Sequence, residues 1–228
     1  MPTWRVTLTG DPWDLKTLVS MELGLSEEGG GFVWRRPEFD SLTTAHEVEH
    51  KAREMIEALN GLGRMNTADF RPVGVGAIVG HEDSGTISLY VGAELTVRSG
   101  LPFAAEVIRG GAPVPPSPPV WPGWLETASR VPVVRQALRF FSNPTAENLW
   151  KVYEIIRDDV GGKAQILGNG WATEGEIDAF RSVHYPSALG DDARHGVEPT
   201  RAAPPHPMPL EQAQAFIKSL LGRWLAAK

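Results

Sequence analysis

The hydrophobic residues at the start of the chain alternate with polar ones, at Trp4, Val6 and Leu8. A period of two residues is typical of a half-buried β-strand, so we predict a strand over 3–9. Asp11 followed by Pro12 then provides a helix N-cap and a proline at the first helical position. The pattern therefore predicts a helix over 12–23.

The following segments combine alternating and helical patterns. A glycine-rich stretch at 27–31 is predicted as a loop, and the short apolar run at 32–34 as a second strand. Apolar residues at helical spacing predict a long helix over 44–62, and Gly61 and Gly63 are typical of a helix C-terminus. The strands predicted after this helix span 72–79, 86–97 and 103–108. This order predicts a small sheet with helices on one face.

The pattern changes after residue 111. Six of the eleven residues in 112–122 are proline. Because proline fixes φ and removes a backbone donor, we expect a stiff, extended linker there. Beyond it, over 123–228, the hydrophobic period is helical. We therefore predict an α+β protein, with a sheet domain over 1–111 followed by an all-α helical bundle.

Helix boundaries in the second half can be located from capping residues. We predict helices over 124–130 and 132–141, and a third that follows Asn143-Pro144. Thr173 with Glu176 forms a capping box that opens a fourth helix, and Pro209 opens the last one. Between the last two helices we expect a long irregular loop, over 185–208.

Charge and composition exclude several classes of function. The 228 residues have a net charge of −6. Residues 1–110 hold 10 Lys and Arg against 16 Asp and Glu, whereas residues 111–228 hold 12 of each. This distribution disfavours binding of RNA or other nucleic acids. The chain has no cysteine, so disulfides, thiolate zinc sites and cysteine nucleophiles are excluded.

The ends and the hydropathy of the chain bear on its location. The N-terminus lacks the apolar run of a signal peptide, and no stretch approaches the roughly 18 apolar residues of a membrane span. We therefore expect a cytoplasmic protein with no membrane partner. Nothing in the sequence predicts a cofactor.

One short motif matches a known metal site. His46-Glu47-Val48-Glu49-His50 has the H-E-x-x-H pattern of zinc hydrolases, in which two histidines bind the metal and the glutamate activates water. Here, however, both histidines lie about 160° around the helix from Val48, on its charged face. We expect a solvated helix face, with adventitious metal binding by His46 and His50 more plausible than zinc hydrolysis.

Polar chemistry is concentrated near the predicted loop over 185–208. A long loop in a compact bundle often serves a function. An aspartate can orient a histidine, and an arginine can bind an anion. We take Asp191, Asp192, Arg194 and His195 as candidate catalytic residues. The candidate binding residues are Arg181, His184 and Tyr185. The alternative is a structural loop, in which these side chains cap helical turns and pair with each other.

Several segments resemble a family of uncharacterised bacterial proteins. They are Glu57-Ala-Leu-Asn60-Gly61, Leu149-Trp-Lys-Val-Tyr-Glu-Ile-Ile156, Gly170-Trp171-Ala172, Gly190-Asp-Asp-Ala-Arg194-His195 and Pro207-Met208. The resemblance spans most of the chain and implies an architecture rather than a chemistry.

The predicted bundle also resembles HEPN domains, whose members include RNases of toxin and defence systems. Their signature is an arginine followed by a histidine after four to six residues. Here two residues separate Arg181 from His184, and Arg194 adjoins His195, so both spacings are shorter. The resemblance implies metal-independent RNA cleavage or RNA binding, with Arg194 and His195 at the site and Asp191 or Asp192 as orienting group.

These observations leave three classes of function. The first is a non-catalytic binding or interaction protein, because no convincing catalytic set is present and polar loops alone do not imply chemistry. Such a protein could bind an unknown partner protein or pair as a homodimer through the helical bundle. The second is a HEPN-like ribonuclease or RNA-binding protein, and the third is a zinc hydrolase.

Overall fold

The computed structural model describes residues 3–81, 87–90, 108–109, 112–113, 120–184 and 208–228. For 81, 87–90, 108–109, 112–113 and 184 the description is confined to the backbone. The chain divides into two compact units, Met1–Glu126 and Thr127–Lys228. Each unit is considered by itself.

The first unit contains a five-stranded antiparallel sheet with the strand order β2-β3-β1-β4-β5. Its strands are β1 Thr3–Thr9, β2 Leu25–Glu28, β3 Gly31–Trp34, β4 Gly74–His81 and β5 Ile87–Tyr90. The predicted loop at 27–31 is partly wrong, because β2 and β3 form a hairpin. Gly29 and Gly30 turn it with φ values of 58° and 79°, the left-handed backbone that a two-residue type I′ turn requires.

Three helices accompany this sheet: α1 Pro12–Ser20, α2 Pro37–Asp40 and α3 Ala45–Asn66. As predicted, Asp11 caps α1, and its carboxylate accepts a hydrogen bond from Trp13 N at 3.0 Å. Helix α3 continues past the predicted end at 62. Gly63 lies inside the helix, and the Phe70 ring packs directly on it. A Cβ at Gly63 would be 2.5 Å from this ring.

The core of the first unit lies on the helix side of the sheet. The alternating residues Trp4, Val6 and Leu8 are buried there, as their period predicts. They pack with the apolar face of α3, where Val48, Ala52 and Leu59 have no exposed surface. The hydrophobic effect therefore holds α3 against the sheet.

Two polar groups inside this unit have defined partners. Asn60 of α3 is 7% exposed; it donates to Val73 O at 3.0 Å and accepts from Val73 N at 2.8 Å. Asp14 of α1 is 2% exposed and accepts a hydrogen bond from Arg71 Nε at 2.9 Å. Arg71 also pairs with Asp11 at 2.9 Å. These contacts join both helices to the segment that leads into β4.

The structure describes only part of the segment between the sheet and residue 120. Residues Ile108–Arg109 and Ala112–Pro113 form the short antiparallel pair β6 and β7. The rest of the predicted strands over 86–97 and 103–108, and most of the linker predicted over 112–122, lie outside the described residues. The predicted domain limits at 111 and 123 stay a prediction.

The regular structure described after residue 125 is helical, so the predicted fold class is confirmed. The elements are α4 Trp121–Arg130, α5 Pro132–Ser142, α6 Ala146–Asp159, α7 Lys163–Gly168, α8 Glu174–Arg181, a 3-10 turn Ser182–His184 and α9 Leu210–Ala226. Helix α4 begins within the first unit. Thr173 closes the predicted capping box with Glu176. Thr145, rather than Asn143-Pro144, caps α6.

The core of the second unit is built around aromatic rings and the buried faces of α5, α6 and α9. Phe180 of α8 lies 5.9 Å from Trp150, 5.8 Å from Tyr153 and 5.3 Å from Phe216, measured between ring centroids. Offset ring contacts of this kind add to the energy of area burial. They tie α8 to both α6 and α9.

Within the described residues, none of the helices combines the length and the apolar character needed to cross a lipid bilayer.

Candidate functional site

The glutamate of the H-E-x-x-H motif serves as a helix cap. Glu47 Oε2 accepts hydrogen bonds from the backbone N–H groups of Thr43 and Thr44 at 3.1 and 2.9 Å, and from both hydroxyls at 3.0 Å. Thr44 Oγ1 in turn accepts from Glu47 N at 3.2 Å. These hydrogen bonds, first that from the Thr43 hydroxyl, lower the pKa of Glu47. The carboxylate therefore stabilises the start of α3.

The remaining residues of the motif lie on a solvated face. His46 and His50 are exposed, and Glu49 pairs with Arg53 of the next turn at 2.9 Å. In the described part of the chain no group of three His, Asp or Glu side chains could hold a metal ion. Exposed histidines beside an ion pair are typical of a charged helix face. A zinc centre needs three or four converging ligands.

The structure describes only some of the candidate residues of the helical unit. Arg181, at the end of α8, has a side chain that is 64% exposed and lies 3.7 Å from Asp178. The backbone of His184 ends the 3-10 turn. The other candidates lie outside the described residues: Tyr185, Asp191, Asp192, Arg194 and His195.

One serine joins the two ends of the segment that carries those candidates. Ser182 is 2% exposed. Its hydroxyl donates to Ala179 O at 2.5 Å and accepts from Met208 N at 2.8 Å. The hydrogen bond thus brings together two residues that lie on either side of positions 185–207 in the sequence. Sequence reasoning did not find this bond, because it joins residues 26 positions apart.

Arg181 belongs to a network of charged side chains near the buried residue Tyr153. Lys163 Nζ lies 2.9 Å from Glu174 and 3.7 Å from Asp178, the same aspartate that Arg181 approaches. Tyr153, 4% exposed, lies within electrostatic reach of this network, and burial raises its pKa. Because its cations are matched by carboxylates, the arrangement is typical of an ion-pair network that joins α7 to α8.

A groove lies between α5 and α6 on the surface of the helical unit. It has a volume of about 490 Å³. Its lining residues are Val133, Gln136, Phe140, Lys151, Glu154, Ile155, Asp158 and Asp159. The apolar members are only half-buried, and the Phe140 ring lies 5.2 Å from Lys151 Nζ, a cation–π contact.

The charges of this groove are held by neighbours on the same unit. Lys151 Nζ lies 2.6 Å from Glu147, and Asp158 lies 2.7 Å from Arg157. Asp159 accepts from Trp224 Nε1 at 2.8 Å and pairs with Lys228 at 2.6 Å. Sequence reasoning missed this groove. The signal was the pair of half-buried apolar residues Phe140 and Ile155, which lie outside the apolar stripes of their helices.

No protein-family model matches the chain, and neither a curated protein nor a solved structure matches it.

Proposed function

We propose that the protein is a non-catalytic interaction protein that pairs with a second copy of itself through the groove between α5 and α6. The observation that carries the proposal is the composition of this groove, which places half-buried apolar side chains beside both a cation and carboxylates. Apolar area supplies the driving force for association, and charges of both signs allow the surface to complement itself.

The arrangement of charges along α6 fits a two-fold interface. In such an interface the same surface meets itself, so that residue i contacts j and j contacts i. An antiparallel crossing of two copies of α6 centred between Glu154 and Ile155 brings Lys151 of each copy toward Asp158 of the other. Both residues line the groove. Their present partners are surface ion pairs, which contribute little and can be exchanged.

Exchange of these two charges tests the pairing. We expect wild-type protein to sediment at twice the monomer mass, and both Lys151→Glu and Asp158→Lys to weaken the dimer because like charges then face each other. The double variant Lys151→Glu/Asp158→Lys restores opposite charges and should recover the dimer. Sedimentation equilibrium over a concentration series measures each dissociation constant.

A matched charge change elsewhere serves as the control. Lys218 lies on α9 and is exposed, so Lys218→Glu changes the net charge as Lys151→Glu does without touching the groove. It should leave the dissociation constant unchanged. A wild-type protein that stays monomeric up to its solubility limit would contradict the proposal, as would a double variant no better than either single one.

The HEPN-like alternative is favoured by the bond between Ser182 and Met208. This bond ties both ends of the segment with Arg194 and His195 to the end of α8, where Arg181 lies. Incubation of pure protein with total RNA, beside the variant Arg194→Ala/His195→Ala, tests an RNase. The alternative requires cleavage by the wild type and its loss in the variant; equal cleavage by both would exclude this site.

A further inference from the structure

In the part of the chain that the structure describes, α1, α2 and α3 pack on one face of the sheet, and a second face lies opposite. Along β1, Arg5 and Thr7 alternate with the buried residues and are half-buried. Thr7 lies opposite Val33 of β3, and Arg5 lies opposite Val79 of β4. Because neighbouring strands share their faces in register, these side chains lie together on one surface.

The strand register places two arginines next to each other on this face. Val6 pairs with Trp34, so the next step of the antiparallel register places Arg5 beside Arg35. The backbone of Arg35 remains tied to the sheet edge, since Arg35 N donates to Gly24 O at 2.9 Å. Like charges directly across a strand pair are unfavourable unless a counter-ion lies between them.

The nearby carboxylate is already engaged by Arg35. Glu28 of β2 accepts two hydrogen bonds from the guanidinium of Arg35, one of them at 2.7 Å from Nη2, and a third at 2.7 Å from Ser26 Oγ. The hydrogen bonds from Arg35 and Ser26, with a smaller contribution from the charge of Arg5, lower the pKa of Glu28 to about 2. The charge of Arg5 therefore acts on the Glu28 carboxylate, although no hydrogen bond between these two side chains is among those described.

No hydrogen bond to the Arg5 side chain is found among the described residues. Its Nε is buried and has no hydrogen-bond partner in the structure as described. Buried donors without partners are few in native proteins, and many of them mark the place of an ion or a water molecule. An arginine fork is suited to the two oxygens of a carboxylate or a phosphate.

We propose that Arg5, beside Arg35, forms a binding site for an oxyanion on this face of the sheet. The ligand is a small molecule bearing a carboxylate or a phosphate group. It would supply the acceptors that Arg5 lacks and neutralise the net positive charge of two arginines and one glutamate. This site is on the first unit and is independent of self-association.

Titration of the full-length protein with two simple anions tests this site. Inorganic phosphate and acetate are added at constant ionic strength, which removes general screening effects, and backbone amide shifts are followed by two-dimensional NMR. We expect saturable shifts at Thr7, Val33 and Arg35. Tighter binding of phosphate would assign a phosphoryl ligand, and tighter binding of acetate would assign a carboxylate.

Three variants make the result specific. Arg5→Gln should weaken binding at least about tenfold, because hydrogen bonds to a charged group are lost. Glu28→Gln should strengthen it, because it frees the Arg35 fork for the anion, and this gain cannot result from unfolding. Arg53→Gln, at a helix side chain that is 58% exposed, makes the same charge change as Arg5→Gln and should leave affinity unchanged.

Two results would overturn the proposal. One is the absence of a saturable shift with either anion in the wild-type protein. The other is an affinity in Arg5→Gln equal to that of the wild type, together with no gain in Glu28→Gln.

Discussion

At the scale of single residues, Asn60 shows how one amide can fix the join between a helix and a strand. Its two hydrogen bonds satisfy both backbone groups of Val73, which lies just before β4. Buried backbone groups must be paired. The amide thus substitutes for the neighbouring strand that Val73 lacks at this point.

Replacement of Asn60 should therefore be costly in either of two ways. Asn60→Ala leaves one donor and one acceptor buried, and should lower the free energy of unfolding by roughly 2–4 kcal/mol. Asn60→Asp should also destabilise the protein at neutral pH. It buries a charge, and it places a carboxylate oxygen next to Val73 O, where the amide of Asn60 donates a hydrogen bond. Urea denaturation measures both. Asn66→Ala, an exposed site on the same helix, is the control, and an Asn60→Asp protein as stable as wild type would contradict this role.

Asp14 gives a prediction about pH. Burial raises its pKa, and the hydrogen bond from Arg71 opposes this without cancelling it. A carboxyl group whose pKa is raised on folding contributes most when protonated, and the contribution is lost as the pH rises through the folded pKa. We expect the stability of wild type relative to Asp14→Asn to fall as the pH rises above about 4, the ordinary pKa of an aspartate.

A second substitution checks the cause of this pH dependence. Arg71→Gln removes the group that lowers the pKa of Asp14. When wild type and Asp14→Asn both also carry Arg71→Gln, the fall in their stability difference should therefore occur at higher pH. Denaturation of the four proteins across the pH range measures the difference. A stability difference that grows with rising pH would show that the ion pair, rather than burial, dominates.

The capping residues show what can be predicted at this scale. Asp11 and Thr173 were found from sequence because a cap is a local feature, in which the backbone N–H that donates to the capping side chain lies two or three residues away. Glu47 was interpreted first through a motif, although the same capping-box spacing is present at Thr44-Ala45-His46-Glu47. Asn60 could not be found, because its partner is 13 residues distant and depends on where β4 lies.

At the scale of elements, helix α3 shows how a glycine can be required inside a helix. Gly63 was predicted to mark the helix C-terminus, yet the helix continues to Asn66. The missing side chain leaves room for the Phe70 ring, which is 2% exposed. Packing of the following segment thus overrides the local preference against glycine in a helix.

Alanine substitutions at two helical glycines should have opposite effects. Gly63→Ala should destabilise the protein by roughly 1–3 kcal/mol, because its methyl group overlaps the Phe70 ring and overpacks the core. Gly175→Ala in α8 meets nothing within 4 Å and should stabilise by up to about 1 kcal/mol through helix propensity. Thermal and chemical denaturation measure both, and stabilisation by Gly63→Ala would contradict the packing argument.

Strand β2 and helix α7 are among the elements that were missed, and each has a physical reason. Strand β2 has the sequence Leu-Ser-Glu-Glu, which has almost no hydrophobic pattern, and it forms because the Gly29-Gly30 turn folds it back onto β3. Helix α7 is six residues long and lies between glycine-rich segments. Short elements depend on the neighbours that complete their packing, so periodicity within one segment does not show them.

At the scale of the whole molecule, the change from alternating to helical periodicity was enough to predict the α+β class. The strand order was not predictable, because β1 pairs with β3 and β4 across long stretches of chain. The candidate surfaces were also not predictable. The α5–α6 groove and the Arg5–Arg35 pair each depend on two elements meeting, whereas sequence reasoning favoured residues that are neighbours along the chain.

The bond between Ser182 and Met208 holds the end of α8 close to the start of α9. Because both partners lie outside positions 185–207, this contact does not depend on which residues occupy those positions. A foreign recognition sequence inserted between positions 185 and 207 should therefore leave the contact between Ser182 and Met208 unchanged.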